Sequence, residues 1–78
     1  MERFNMNDFK PGIYKHFKGN YYKALYLAND SETCEKVVVY QALYGEKELW
    51  VRPLKEWQEI VTLPNGEKVD RFTFISND

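Results

Sequence analysis

GIYKHFKGNYYKALYLA (residues 12–28), VVVYQALYG (37–45) and LWVRPLKEW (49–57) decide the fold. Each run is rich in aromatic or β-branched residues, and each is broken from the next by polar turn residues. Val37-Val38-Val39-Tyr40 opposes a helix, because branching at Cβ crowds the preceding helical turn. Lys36 to Tyr44 is therefore the strongest strand, expected to be central and covered on both faces. Upstream, Ile13, Lys15 and Phe17 alternate with Tyr14 and His16, the period of two of a half-buried strand. Gly19-Asn20 supplies the turn that follows. Tyr21 to Ala28 continues as a second strand, for which the pattern predicts Tyr21, Lys23, Leu25 and Leu27 on the inner face.

Downstream, Gly45-Glu46-Lys47-Glu48 turns the chain into Leu49 to Arg52, and Pro53 ends that strand because it has no N–H to donate. Leu54 and Trp57, three apart, fit one short helical turn. Glu59 to Leu63 and Val69 to Ile75 flank Pro64-Asn65-Gly66, where Asn-Gly predicts a two-residue hairpin. Five to six short strands with one short helical turn make an all-β domain. A small SH3-like barrel is the first expectation and an oligonucleotide-binding barrel the second.

The 78 residues hold one domain. Residues 1–10 read as an N-terminal arm ending at Pro11, and residues 11–78 as the single barrel domain. Chains this short hide only about 60% of their unfolded surface. Large rings are an efficient remedy, and 13 of the 78 residues are Phe, Trp or Tyr. That is more than so small a core needs, so some rings are expected to face a ligand. Cys34 is the only cysteine, which excludes an intrachain disulfide and fits a reducing, cytoplasmic setting. MERFNMNDF lacks the apolar core of a secretory signal, and no apolar run approaches the ~18 residues of a spanning helix. No membrane association is expected. The net charge of −1 offers no global attraction to nucleic acid. Its distribution is uneven, since Phe9 to Asn29 has Lys10, Lys15, Lys18 and Lys23 and no acid, whereas Asp30 to Asp78 carries ten acids and six bases.

Little points to catalysis. His16 and Cys34 are the only conceivable nucleophile–base pair, and Glu35 beside Cys34 disfavours the thiolate that reactivity requires. One His and one Cys fall short of the three or four ligands of a zinc site, and all four glycines are isolated at turns, so no metal, cofactor or phosphate loop is expected. More content lies in Tyr14, His16, Lys18, Tyr22, Tyr44, Trp50 and Arg52. Planar rings interleaved with cations can stack flat groups while the cations hold carboxylate or phosphate.

Gly12-x-Tyr14-x-His16-x-Lys18-Gly19 with Tyr22, then Val38 to Gly45, then Leu49-Trp50-Val51-Arg52-Pro53-Leu54 and a late Arg71-Phe72, resemble a family of small bacterial proteins known as domain of unknown function 1653. The likeness runs from about Gly12 to Phe74. It implies an SH3-like barrel and a cytoplasmic protein, and it implies no activity, since the family has none established. Many relatives carry a histidine just before the segment that stands here as Ser31-Glu32-Thr33, and this chain has Asp30 there.

These observations predict a binding or adaptor module that takes a peptide or protein in a groove formed by Tyr14, His16, Lys18, Tyr22, Tyr44, Trp50 and Arg52. The alternative is single-stranded nucleic acid on the basic, tyrosine-rich segment 10–23, and a small enzyme using His16 comes last. A monomer or weak homodimer is expected, with Arg71 to Ile75 or the arm as the pairing edge.

Overall fold

The first hairpin joins β1 (Gly12–His16) to β2 (Tyr21–Asn29), as the Gly19-Asn20 turn predicts. The turn closes through Gly19 N–H to the His16 carbonyl at 2.7 Å and His16 N–H to the Asn20 carbonyl at 2.8 Å. β3 (Lys36–Ala42) and β4 (Leu49–Pro53) extend the meander, α1 (Leu54–Trp57) follows, and then come β5 (Ile60–Thr62), β6 (Lys68–Asp70) and β7 (Phe72–Ser76). The computed structural model describes residues 9–77, so the expected arm lies outside the described residues except for Phe9 and Lys10.

Five strands form one antiparallel sheet in the order β4-β3-β2-β1-β7, and β5 pairs with β6 in a second, two-stranded sheet. A four-strand meander, a helical turn and a last strand returned beside the first make the predicted all-β, SH3-like arrangement. The expected final strand 69–75 is two strands, because Arg71 changes the chain's partner. Its N–H donates to the Glu59 carbonyl on the small sheet at 2.9 Å, whereas its own carbonyl accepts from Phe17 N–H on the large one at 2.9 Å.

Three sequence expectations are corrected. The inner face of β2 begins with Tyr22 and Ala24, opposite the inward Ala42 and Tyr40, and not with Tyr21 and Lys23; a bulge then leaves Leu25 extra between the pairs Ala24↔Tyr40 and Tyr26↔Val39, and beyond it Leu27 is inward as expected. One inserted residue reverses which face every later side chain takes. β3 lies between two strands, but only its start is buried on both faces; beyond Val37, the inward Val38, Tyr40 and Ala42 are buried and the outward Val39 and Gln41 are half-buried. The β5–β6 loop has three residues rather than two. Gly66 N–H bonds the Leu63 carbonyl at 2.8 Å, and Gly66 takes the left-handed conformation, φ +90°, that lets Leu63 and Glu67 pair across the loop.

The core is Tyr14, Ala24, Val38, Tyr40, Leu54, Trp57 and Phe72, with Phe9, Tyr22, Leu27 and Phe74 packed against it. β4 and β7 are the two edges of the large sheet, so a seam remains between them. α1 carries Trp57 into the core, where its ring stacks on Phe72 of β7 at 3.7 Å and 9° and meets Tyr40 at 4.9 Å and Tyr14 at 5.2 Å edge-on. Gly12 marks a second tight point. It has φ +147°, and a Cβ there would lie 2.4 Å from the Ser76 carbonyl oxygen, a backbone atom with no cheap escape.

Trp57→Ala is expected to cost about 3–5 kcal/mol, as do other buried Trp and Phe truncations. Urea unfolding followed by far-UV circular dichroism checks this, and a loss below about 1 kcal/mol would show that the stack is not central. Gly12→Ala is expected to lower the same midpoint by the equivalent of about 1–3 kcal/mol of backbone strain.

Candidate functional site

β1, β3 and β7 each send rings to the concave side of the large sheet, and Tyr22 of β2 sits at their meeting point. Its ring centroid is 5.4 Å from Tyr40, 5.5 Å from Tyr44, 5.8 Å from Phe72 and 6.2 Å from His16, all edge-on. Edge-to-face contact suits aromatic quadrupoles, so the cluster holds its shape without a ligand. The Tyr22 and Tyr44 hydroxyls share a hydrogen bond of 2.7 Å. Desolvation, reinforced by that bond, pushes the Tyr22 phenol up to about 12.

Trp50 and Arg52 join this side by register. Trp50 lies opposite Tyr40 and Arg52 opposite Val38, and directly paired residues of antiparallel strands share a face. Because β4 is an edge strand, little covers Trp50, whereas Arg52 is half-buried. Trp50 is 51% exposed and Tyr44 is 45% exposed, although both stand next to a buried core. Trp50 makes no ring contact with another described aromatic.

His16 forms the opposite border. Its ring is 4.9 Å from Phe72 and 4.6 Å from Phe17, and its Nδ1 accepts the Lys18 backbone N–H at 3.2 Å. The proton of the neutral ring therefore resides on Nε2. Burial, then the positive charges of Arg52, Arg71 and Lys18, hold the imidazole below its ordinary pKa of 6.5. The Arg52 guanidinium lies 5.8 Å from the Phe72 ring centroid and 3.7 Å from Glu56. Arg71 reaches Glu59 at 2.7 Å. The Nε atom of each arginine is buried without a hydrogen-bond partner, so the Phe72 ring and Glu56 set the pose of Arg52, and Glu59 that of Arg71.

Of the residues expected from sequence, His16, Tyr22 and Tyr44 join one aromatic cluster edge-on, Arg52 lies over its Phe72, and Trp50 shares its face by register. Lys18 sits at the tip of the β1–β2 turn, exposed, with its ammonium 5.9 Å from the Phe17 ring. Tyr14 is different. At 7% exposure, with its hydroxyl donating to the Lys10 carbonyl at 2.7 Å and its ring against Trp57 and Phe74, it is a core ring rather than a groove ring. Phe72 belongs to this cluster and was not among the expected site residues; the alternation of β7, with Phe72 inward, was its signal. His16 and Cys34 cannot act together, because the nine residues of β2 separate their ends of the sheet by roughly 25 Å at strand rise. Cys34 is exposed and unpaired. Asp30 serves its own loop: its Oδ1 accepts from Glu32 N–H at 2.8 Å and Thr33 N–H at 3.1 Å, which keeps the carboxyl pKa low.

The segment 10–23 does not present one surface. Lys15 and Tyr21 are paired in register on the convex side, with 5.8 Å between ammonium and ring, whereas Tyr22 faces the groove. A separate shallow depression of about 230 Å³ is lined by Glu35, Lys36, Pro53, Leu54, Lys55 and Gln58. It holds no aromatic ring, and the Glu35–Lys55 ion pair at 3.7 Å is a solvated surface contact.

His16 is expected to titrate below 6.5 in the folded protein, observed through its ring proton shifts. The sign for stability follows. Above the unfolded pKa both states hold a neutral ring, and as pH falls through 6.5 the unfolded chain binds the proton first, so this residue subtracts stability until its folded pKa is passed. His16→Gln should flatten that part of the profile, and an unchanged slope between pH 7.5 and 5 would contradict it. Tyr44→Phe should bring the Tyr22 phenol down from about 12 toward 10.0, read by ultraviolet titration.

Comparison with known proteins agrees with the fold. Residues 12–74 match the family model described as "Protein of unknown function (DUF1653)". A crystal structure of a protein belonging to that family from Bordetella bronchiseptica is similar to this chain, with a TM-score of 0.85 and 41% identity over 95% of this chain and 96% of that one. No curated protein matches the chain. The resemblance carried by the three aromatic blocks is thus a family relation: this chain belongs to the DUF1653 family.

Proposed function

We propose that the protein is a non-enzymatic binding module that takes a peptide or protein segment in the aromatic groove. One observation carries the reading: two large rings, Trp50 and Tyr44, stay about half exposed beside a packed core that could have covered them. Exposed aromatics next to an arginine are the composition of binding hot spots, because rigid rings give contact area at little entropic cost. The groove offers donors of neutral and positive kind, namely the His16 Nε2–H, the tyrosine hydroxyls and Arg52, which suit a polar backbone or an acidic side chain. A cytoplasmic location fits the single free thiol, and no helix among the described residues is long and apolar enough to cross a membrane.

Single-stranded nucleic acid is the second reading, and its support is the exposed Lys15–Tyr21 pair on the convex side. The two readings use different faces, so they separate experimentally. Trp50→Ala with Arg52→Ala should abolish recovery of protein partners in a pull-down while the circular dichroism spectrum stays unchanged. Recovery of the same partners by the folded double variant would place the site elsewhere. If nucleic acid is the ligand, affinity for oligothymidylate should fall steeply with salt, and Lys15→Ala with Tyr21→Ala should weaken it while the groove variant does not.

A further inference from the structure

The free edge of β4 is short, apolar and closed at both ends. Ala42 N–H donates to the Glu48 carbonyl at 3.0 Å, and the register then sets Leu49 against Gln41, Trp50 against Tyr40, Val51 against Val39 and Arg52 against Val38. Bonded and non-bonded pairs alternate along an antiparallel ladder, so Trp50 and Arg52 engage β3, whereas the N–H and C=O of Leu49 and Val51 point away from it. No other described strand pairs with β4. On one flank Lys47 is already engaged, with φ +55°, its N–H on the Tyr44 carbonyl at 3.0 Å and its own carbonyl accepting from Gln41 Nε2 at 3.0 Å. On the other flank Pro53 has no N–H, and as the N-cap of α1 it turns its carbonyl to the helix. Two donors and two acceptors are left, on residues that flank Trp50.

The side chains here are not those of an edge built to stay bare. Leu49 is 62% exposed and Val51 65%, with Trp50 between them, and no lysine or proline interrupts the three. Val51 also continues an apolar row on the outer face, since it lies opposite Val39, which lies opposite the exposed Tyr26. The opposite edge differs: in β7, Phe72 is in the core, Phe74 packs against it, and only Ile75 of the large apolar residues is exposed.

We propose that β4 pairs antiparallel with β4 of a second copy about a two-fold axis at Trp50, joining the two large sheets into one. Leu49 of each copy then faces Val51 of the other, and every outward backbone group between Lys47 and Pro53 finds a partner. Sliding the strands either way sets Leu49 or Val51 against itself, and the remaining residue against Lys47 or Pro53, so half of the bonds are lost. The edge is thus its own complement, which is why the occupant is a second copy. The same register sets Glu48 against Arg52 of the second copy, unlike charges on paired positions, while Arg52 keeps Glu56, and it brings the two Trp50 side chains together on the concave face. Five residues a side fall well short of the roughly 20–30 of a stable interface, so the pair is weak and forms at high concentration. This goes beyond the groove reading and does not rest on it, and Tyr44 lies outside the paired segment.

The test is amide hydrogen exchange and NOE spectroscopy on the full chain from about 20 µM to about 2 mM. In a single copy the Trp50 and Arg52 amides are protected and those of Leu49 and Val51 are open. Pairing is expected to slow Leu49 and Val51 about tenfold as concentration rises, with Trp50 and Arg52 little changed. The α-protons of non-bonded pairs meet, so an NOE between the Glu48 and Arg52 α-protons is expected at the top of the range, although the two stand roughly 13 Å apart along one strand. Val51→Pro removes an N–H that β3 does not use; it should leave the circular dichroism spectrum unchanged and raise the dissociation constant at least about tenfold. Glu48→Lys sets like charges at both ends of the pair and should raise it about fivefold. If Val51→Pro does not fold, Glu48→Lys decides, and unchanged association overturns the proposal. Exchange at Leu49 and Val51 that stays constant across the range also overturns it, as does protection gained along β7 instead.

Discussion

The stack of Trp57 on Phe72 is the contact on which the rest of this structure depends. A five-stranded sheet that curls without joining its edges leaves a strip of core facing water between β4 and β7. The four residues of α1 bridge that strip, and a single indole laid flat against Phe72 at 3.7 Å ties the bridge to the returning strand. A chain of this length gains only a few kcal/mol of net stability from its core, so one ring pair is a large share of the total. Pro53 contributes by ending β4 just before the turn, which sets the point at which Leu54 and Trp57 swing inward.

The same ring pair shapes the groove. Phe72 touches Trp57 on one side, and on its other sides meets Tyr22, Tyr40, His16 and Arg52. The floor of the groove is therefore the outer surface of the core, and its rigidity is inherited. Under the proposed binding role, a ligand would meet rings already held in place, and little ordering entropy would remain to be lost on binding. Trp50 and Tyr44 stand at the rim, one on an edge strand and one in a connecting loop, where no further strand covers them.

Electrostatics add direction to a surface that is otherwise nearly neutral. Arg52 and the His16 imidazole lie beside the Phe72 ring, while Lys15 lies over Tyr21 on the other face and Lys18 at the turn tip. Net charge conceals this separation, because Glu56 and Glu59 balance the arginines within a few ångströms. Membership of the DUF1653 family carries the fold with it and leaves the chemistry of the groove to be argued from these side chains.

The sequence by itself determined the strand count to within one, the helical turn at Leu54 to Trp57, the hairpin turns at Gly19-Asn20 and Pro64-Asn65-Gly66, and the family. Each follows from local physics: β-branching at Val37 to Val39, the missing N–H of Pro53, and left-handed conformations that glycine adopts freely. Tertiary structure decided what local pattern could not. Pairing with Ala42 and Tyr40 turned Tyr22 and Ala24 inward, a bulge at Leu25 switched the phase so that Leu27 followed, and a change of partner at Arg71 divided the last strand in two. Tyr14, in the same alternating pattern as His16, went to the core because Trp57 and Phe74 close over it, whereas Trp50, opposite the buried Tyr40, stayed open because its strand is an edge. Alternation assigns a side chain to a face, but whether that face meets core or water depends on which distant segment packs there.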